Sequence, residues 1–222
     1  MSGDWDVTPD SSRRERLGFD ETVFCASKSV DQISRIVAAA LETQTSLLLT
    51  RLAGDKFSEL AGRIAAELDY DAISRTAILG KVPASNEAPR VAIVSAGSSD
   101  VPVAREAART LNYYGRAVHE IYDVGVAGLW RLLDRLDEFR EVPVVITVAG
   151  MEGALPSVVA GLVPGVVIAV PVGCGYGVAA NGVTALHSAL ASCAPGLVVV
   201  NVDNGYGAGC AALRILNATG RG

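Results

Sequence analysis

The sequence predicts an α/β fold: a three-layer sandwich on a five-stranded, or slightly larger, parallel sheet, preceded by a small α/β N-terminal region. Three observations predict it. From Arg90 onward the chain repeats strand, turn and helix signals, the alternation expected of βαβ units. From Gly153 to Val202 there is no Asp, Glu, Lys or Arg, as expected of strands covered on both faces. The 222 residues are 50% hydrophobic and only 5% aromatic, enough apolar matter for one sizeable core and a small appendage.

Taken in order, residues 1–28 are polar and mixed, with Arg13, Arg14, Glu15 and Arg16 close together. They read as a solvated arm. Ser29 reads as an N-cap, followed at helical spacing by Val30, Ile33, Ile36, Val37, Ala40 and Leu41. Residues 46–52 read as a short strand. Residues 55–68 read as one amphipathic helix, with Phe57, Leu60, Ile64, Ala65 and Leu68 on one face. The stretch 70–79 fits either helix or strand. Gly80 to Pro89 has the composition of a linker, so the domains are expected at 1–85 and 86–222. Beyond it, strands are expected at 91–95, 117–122, 144–148, 166–170 and 197–202. Helices are expected at 102–113, 126–139, 154–162, 180–192 and 207–217.

Composition excludes several classes. The net charge is −5 and the basic residues are dispersed, so a nucleic-acid footprint is missing. Pro156, Pro164, Pro171 and Pro195 cut the uncharged stretch into pieces, each short of the about 20 apolar residues that span a bilayer. The four cysteines at 25, 174, 193 and 210 form neither a C-x-x-C pair nor a metal-like spacing with His. No secretory leader is read at the start, so a cytoplasmic location with reduced thiols is expected.

In a parallel sheet of this kind, ligands bind beyond the carboxyl ends of the strands. The loops there are rich in small residues. Ser95-Ala96-Gly97-Ser98-Ser99-Asp100 is the clearest phosphate candidate. Gly97 permits a tight turn, Ser98 and Ser99 supply hydroxyls, and the helix led by Pro102 aims its N–H groups at the loop. An ordinary cap by Asp100 or Ser99 explains the same residues equally well. The loop is neither a Walker loop nor a Gly-x-Gly-x-x-Gly turn. Asp123-Val124-Gly125 follows the second strand, and Ala149-Gly150-Met151-Glu152-Gly153 follows the third. Glu152, among apolar neighbours, is a candidate proton acceptor or donor, against a plain helix-start role. Gly173-Cys174-Gly175-Tyr176-Gly177 and Asp203-Asn204-Gly205 complete the set. Asn204 and Asp203 fit turn chemistry as well as ribose or metal binding.

Cysteine choice is open on physical grounds. Cys25 and Cys210 read as packing residues. Cys174 sits at the ligand end of the sheet, so intrachain topology favours it as a nucleophile. Cys193 follows a helix C-terminus, which raises a thiol's pKa, and lies toward the opposite edge. His119 and His187 read as packing residues and form no triad.

The second part of the chain resembles the PurE-like family. The Ala-Gly-Ser-Ser-Asp loop is similar to that family's phosphate loop, and the stretch Ala149 to Pro156 to its second active-site loop. The histidines of the purine mutase are replaced: Asp123 to Gly128 and Glu152 to Leu155 occupy those places. The pattern instead resembles the LarB branch, through residues 95–100, 123–129, 149–157, Gly175-Tyr176-Gly177, Ser192-Cys193-Ala194 and residues 200–208. The arm around Cys25 and Lys28 also takes part. Trp130 stands where that branch has His, and Cys174 is an unusual neighbour of the glycine–tyrosine loop.

The resemblance implies a flavodoxin/PurE-like fold and a cytoplasmic enzyme of nickel-pincer (lactate racemase) cofactor biosynthesis. It would carboxylate C5 of the pyridinium ring of nicotinic acid adenine dinucleotide and hydrolyse the phosphoanhydride. The products would be pyridinium-3,5-biscarboxylic acid mononucleotide and AMP. Cys193 would be the nucleophile and Glu152 the base. Ser95, Gly97, Ser98, Ser99, Asp100, Asp123, Gly125, Gly150, Met151, Gly153, Tyr176 and Asn204 would hold substrate or phosphate. Mg2+ is implied, with Asp100 and Asp203 as candidate ligands. CO2 or bicarbonate would be the co-substrate, and no organic cofactor is needed. The partner would be the dinucleotide alone, with neither nucleic acid nor membrane. A homo-oligomer, an octamer by analogy, would bring Cys193 into a neighbour's cleft. Two alternatives stand: an N5-carboxyaminoimidazole ribonucleotide mutase-like enzyme, and a non-catalytic nucleotide sensor.

Overall fold

A computed structural model describes residues 13–85 and 87–219. The remainder of the expected arm, residues 1–12, lies outside the described residues. The chain divides into two compact units, the division falling between Lys81 and Val82.

The first unit holds α1 (Arg13–Leu17), β1 (Thr22–Phe24), α2 (Val30–Glu42), β2 (Leu47–Thr50), α3 (Gly54–Glu59), α4 (Gly62–Ala65), β3 (Leu68–Asp71) and β4 (Thr76–Leu79). Its sheet has the order β1-β2-β4-β3. β1 runs parallel to β2, and β4 antiparallel to both β2 and β3. Ser29 caps α2 as its sequence predicts, its Oγ accepting the Gln32 N–H while Gln32 Oε1 accepts the Ser29 N–H.

Three expectations change here. The arm is structured from Arg13: alternation turns Val23 and Cys25 into the core, while Phe24 faces out beneath the Arg51 guanidinium at 5.9 Å. The single helix expected over 55–68 is broken at Leu60, whose backbone is extended at φ −63°, ψ 141°. Gly62 weakens the helix there, and Leu68 leaves it to begin a strand. The ambiguous stretch 70–79 forms the β3–β4 hairpin. Phe57 stacks on Tyr70 with ring centroids 4.0 Å apart.

The second unit holds β5 (Val91–Ser95), α5 (Val101–Tyr113), β6 (Val118–Ile121), α6 (Leu129–Asp134), β7 (Val144–Ala149), α7 (Leu155–Ala160), β8 (Val166–Pro171), α8 (Val183–Leu190), β9 (Val198–Val199) and α9 (Gly205–Thr219). It is a three-layer α/β sandwich whose five strands are all parallel, in the order β6-β5-β7-β8-β9. On one face Leu132 of α6 and Leu155 and Val159 of α7 pack with Ala92, Val94, Val145 and Val167 of the sheet. α5 and α9 pack together and against the strands.

Local chemistry trims the expected elements. The helix expected over 126–139 is α6 between two 3₁₀ turns, Val126–Gly128 and Leu136–Glu138. The one expected over 180–192 is shortened to α8, because Asn181 and Gly182 take φ of 61° and 71°. β9 pairs over two residues, although Val200 and Asp203 still donate to the Ala169 and Pro171 carbonyls. Among the described residues, no helix is long and apolar enough to cross a membrane.

Candidate active site

The strand order reverses between β5 and β7. The chain leaves β5 for β6 on one side and returns to β7 on the other. A crevice opens where connections diverge in this way. The loops after β5, β6, β7 and β8 line a cavity there of about 500 Å³.

The first loop is built around Asp100. This carboxylate is only 3% exposed. Its Oδ2 accepts the Gly97 N–H over 2.8 Å, and its Oδ1 accepts the Cys174 S–H over 2.8 Å. Burial raises its pKa, and the thiol and the Gly97 and Gly150 amides act against that rise. The Gly97 amide is therefore spent on Asp100 and cannot cradle an anion. Ser98 and Ser99 are exposed in this loop; Ser99 lines the cavity and Ser98 stands outside its lining.

The third loop makes close backbone approach possible. A Cβ on Gly150 would lie 2.4 Å from the Cys174 carbonyl oxygen and 2.6 Å from its sulfur. Met151 takes φ 54° and Gly153 φ 63°, with the Gly153 N–H returned to the Gly150 carbonyl over 2.9 Å. Glu152 lines the cavity from an exposed position, so the apolar burial expected around it is not found. Cys174 lines the same cavity. Burial first, then Asp100 and Asp203, pushes its thiol up to about 12.

At the rim, Asp123 takes φ 59°, and its Oδ2 accepts from Arg131 Nη1 over 2.8 Å. Gly125 is held where a Cβ would meet the Ala96 carbonyl oxygen at 2.7 Å. Arg131 is the one Lys or Arg among the described residues lining the cavity. Tyr176 adds an exposed ring.

The cavity thus gathers Gly97, Ser99, Asp100, Asp123, Gly125, Gly150, Met151, Glu152 and Tyr176. Other predicted residues stand outside its lining. Ser95 is buried beneath it, its Oγ 3.4 Å from the Asp123 N–H. Gly153 packs on α8, where a Cβ would lie 2.8 Å from Ala185 Cα. Asn204 caps α9, accepting the Gly207 N–H over 2.8 Å. Cys193 is exposed after α8, beyond Ser192, whose Oγ lies 2.7 Å from Ser157 Oγ. His119 pairs with Glu138, and neither histidine lines the cavity.

The donor set does not fit a protein-held Mg2+. Both Asp100 oxygens already accept hydrogen bonds, and Asp203 Oδ1 accepts the Gly173 N–H over 2.8 Å. Among the described residues no three His, Cys, Asp or Glu groups could hold a metal ion.

Arg131 was invisible to sequence reasoning because a cation after Trp130 reads as an ordinary helix surface. Its signal was proximity to the Asp123 loop, eight residues away.

The chain is similar in sequence to known proteins along most of its length. Residues 90–221 match the family model of AIR carboxylase, and residues 6–81 that of a LarB/PurE-like N-terminal domain. An uncharacterised protein of Methanocaldococcus jannaschii is 37% identical over 209 residues, covering 90% of this chain and 80% of that protein. The N5-carboxyaminoimidazole ribonucleotide mutase of Pyrococcus horikoshii is 34% identical over 139 residues, covering 59% of this chain and 74% of the mutase. A crystal structure of a Treponema denticola PurE2 variant aligns with a TM-score of 0.43 at 21% identity, covering 58% of this chain and 91% of that one. With a family match over residues 90–221 and shared sequence along most of its length, the chain belongs to the PurE-like AIR carboxylase family.

Proposed function

We propose that this protein carboxylates the pyridinium ring of nicotinic acid adenine dinucleotide at C5 and hydrolyses the phosphoanhydride, releasing the biscarboxylated mononucleotide and AMP. One observation carries the reading. An N-terminal unit matching the LarB/PurE-like domain accompanies an AIR carboxylase domain whose cavity, among the described residues, is lined by carboxylates and no histidine.

The chemistry needs a nucleophile, because a pyridinium carbon is electrophilic and cannot attack CO2. A Cys193 thiolate adds to the ring, at C4 in this reading, and makes C5 enamine-like. C5 then attacks CO2 and forms the new C–C bond. Glu152 takes the C5 proton, and departure of the thiolate restores aromaticity. Water then splits the phosphoanhydride. The thiol of Cys174 is pushed up to about 12, which leaves little thiolate at neutral pH and favours the exposed Cys193. Cys193 reaches the cavity of a neighbouring copy in this reading. Val183, Leu190 and Val198, exposed apolar residues of α8 and β9, fit such an assembly. Arg131 and the Ser98–Ser99 hydroxyls take the phosphates. Mg2+ would be held by the substrate phosphates, without a protein carboxylate as ligand, and would neutralise their charge.

Product analysis tests this. The protein is incubated with the dinucleotide, bicarbonate and Mg2+. Release of AMP with a mononucleotide heavier by CO2 is expected. Binding without turnover would favour the nucleotide sensor.

A further inference from the structure

Four strand-end loops meet at residues 173–174. The Cys174 thiol donates to Asp100 Oδ1 over 2.8 Å, tying the β8 loop to the β5 loop. The absent side chain of Gly150 lets the β7 loop press on the same residue, since a Cβ there would lie 2.6 Å from the sulfur. The Gly173 N–H donates to Asp203 Oδ1 over 2.8 Å, tying in the segment after β9. A carboxylate as buried as Asp100 keeps its place only while donors satisfy it. The thiol is the side-chain donor in that set, and the Gly97 and Gly150 amides complete it.

We propose that Cys174 is a positioning residue: by holding Asp100 it fixes the spacing of the β5 and β8 loops, and so the width of the cavity that admits the dinucleotide. It takes no part in bond making. Its S–H is already committed as the donor to Asp100 Oδ1. The other charged groups lining the cavity are Asp123, Arg131 and Glu152. Serine would replace the thiol with a stronger donor of similar shape, and alanine would leave Asp100 Oδ1 without it.

The kinetic arm of the test rests on the substrate proposed above. In Cys174→Ala, KM for the dinucleotide is expected to rise about tenfold with kcat within about twofold, and Cys174→Ser to restore KM. The second arm needs no substrate. Hydrogen exchange of the segment 95–101 is expected to run about tenfold faster in Cys174→Ala and at the parent rate in Cys174→Ser. If the alanine variant does not fold, Cys174→Val, which keeps the volume and removes the donor, gives the same readout on the segment 95–101. Parent-like exchange in the variants lacking the contact overturns the proposal. So does a loss of kcat at unchanged KM in both cysteine variants, which would make the sulfur a reactant. Faster exchange in a protein that does not turn over the dinucleotide supports the positioning contact and removes the substrate assignment.

Discussion

The Arg131 guanidinium donates to the Asp123 carboxylate over 2.8 Å at the rim of the cavity. Asp123 can reach it because its backbone turns through the left-handed region at φ 59°, a conformation Asp tolerates. The pair keeps the cation at the mouth and leaves part of the planar fork for a phosphate. Arg131→Ala is expected to weaken AMP binding about tenfold to a hundredfold, and Arg131→Lys to recover only part of it. Calorimetric titration with AMP checks this.

Gly150 sets how closely two loops approach. Its hypothetical Cβ falls 2.4 Å from the Cys174 carbonyl oxygen, a backbone atom that cannot step aside. Gly150→Ala is expected to cost about 1–3 kcal/mol of stability and to abolish nucleotide binding, read by thermal unfolding and titration.

In the first unit, the Lys56 ammonium donates to the carbonyls of Cys25, Ala26 and Lys28 at 3.0, 2.8 and 2.8 Å. It anchors the turn between β1 and α2. Lys56→Met keeps the stem and removes the charge. It is expected to destabilise that unit by about 1–3 kcal/mol, measured by denaturant unfolding.

The cysteines are expected to separate by reactivity. Cys193 is exposed, whereas burial pushes the Cys25 thiol up to about 12 and burial with Asp100 does the same to Cys174. Iodoacetamide near neutral pH should modify Cys193 first, as read by peptide mass mapping. The raised thiols also set an alkaline limit. A thiol whose folded pKa lies above its ordinary value of 9.0 gives stability that is intact below that value. That stability is lost as pH rises through the folded value of about 12. The stability difference between the parent and Cys25→Ala should therefore narrow over that window.

Much of the second unit was legible because its strands are buried on both faces. Val91–Ser95 is fully buried along its length, and Val91 to Val94 reads as an unbroken apolar run. The edge strand is shorter than the apolar signal of Leu197 to Val202 suggests: the paired register covers Val198 and Val199, with two isolated hydrogen bonds beyond it. Tertiary contacts decided the first unit. Leu60 breaks a helical pattern to enter the core, and Cys25, in a polar stretch, is fully buried. The strand-end loops were recognisable as ligand-facing by composition. Which of their groups are already engaged was not: nothing in the sequence ties Cys174 to Asp100, 74 residues away, or gives the Gly97 amide to that carboxylate.

The most direct measurement is incorporation of 13C from labelled bicarbonate into the mononucleotide, read by mass spectrometry for the parent, Cys193→Ala and Glu152→Gln. The account predicts labelled product and equimolar AMP from the parent. It predicts none from Cys193→Ala, and a rate about a hundredfold or more lower from Glu152→Gln. Labelled product from Cys193→Ala at the parent rate would contradict it.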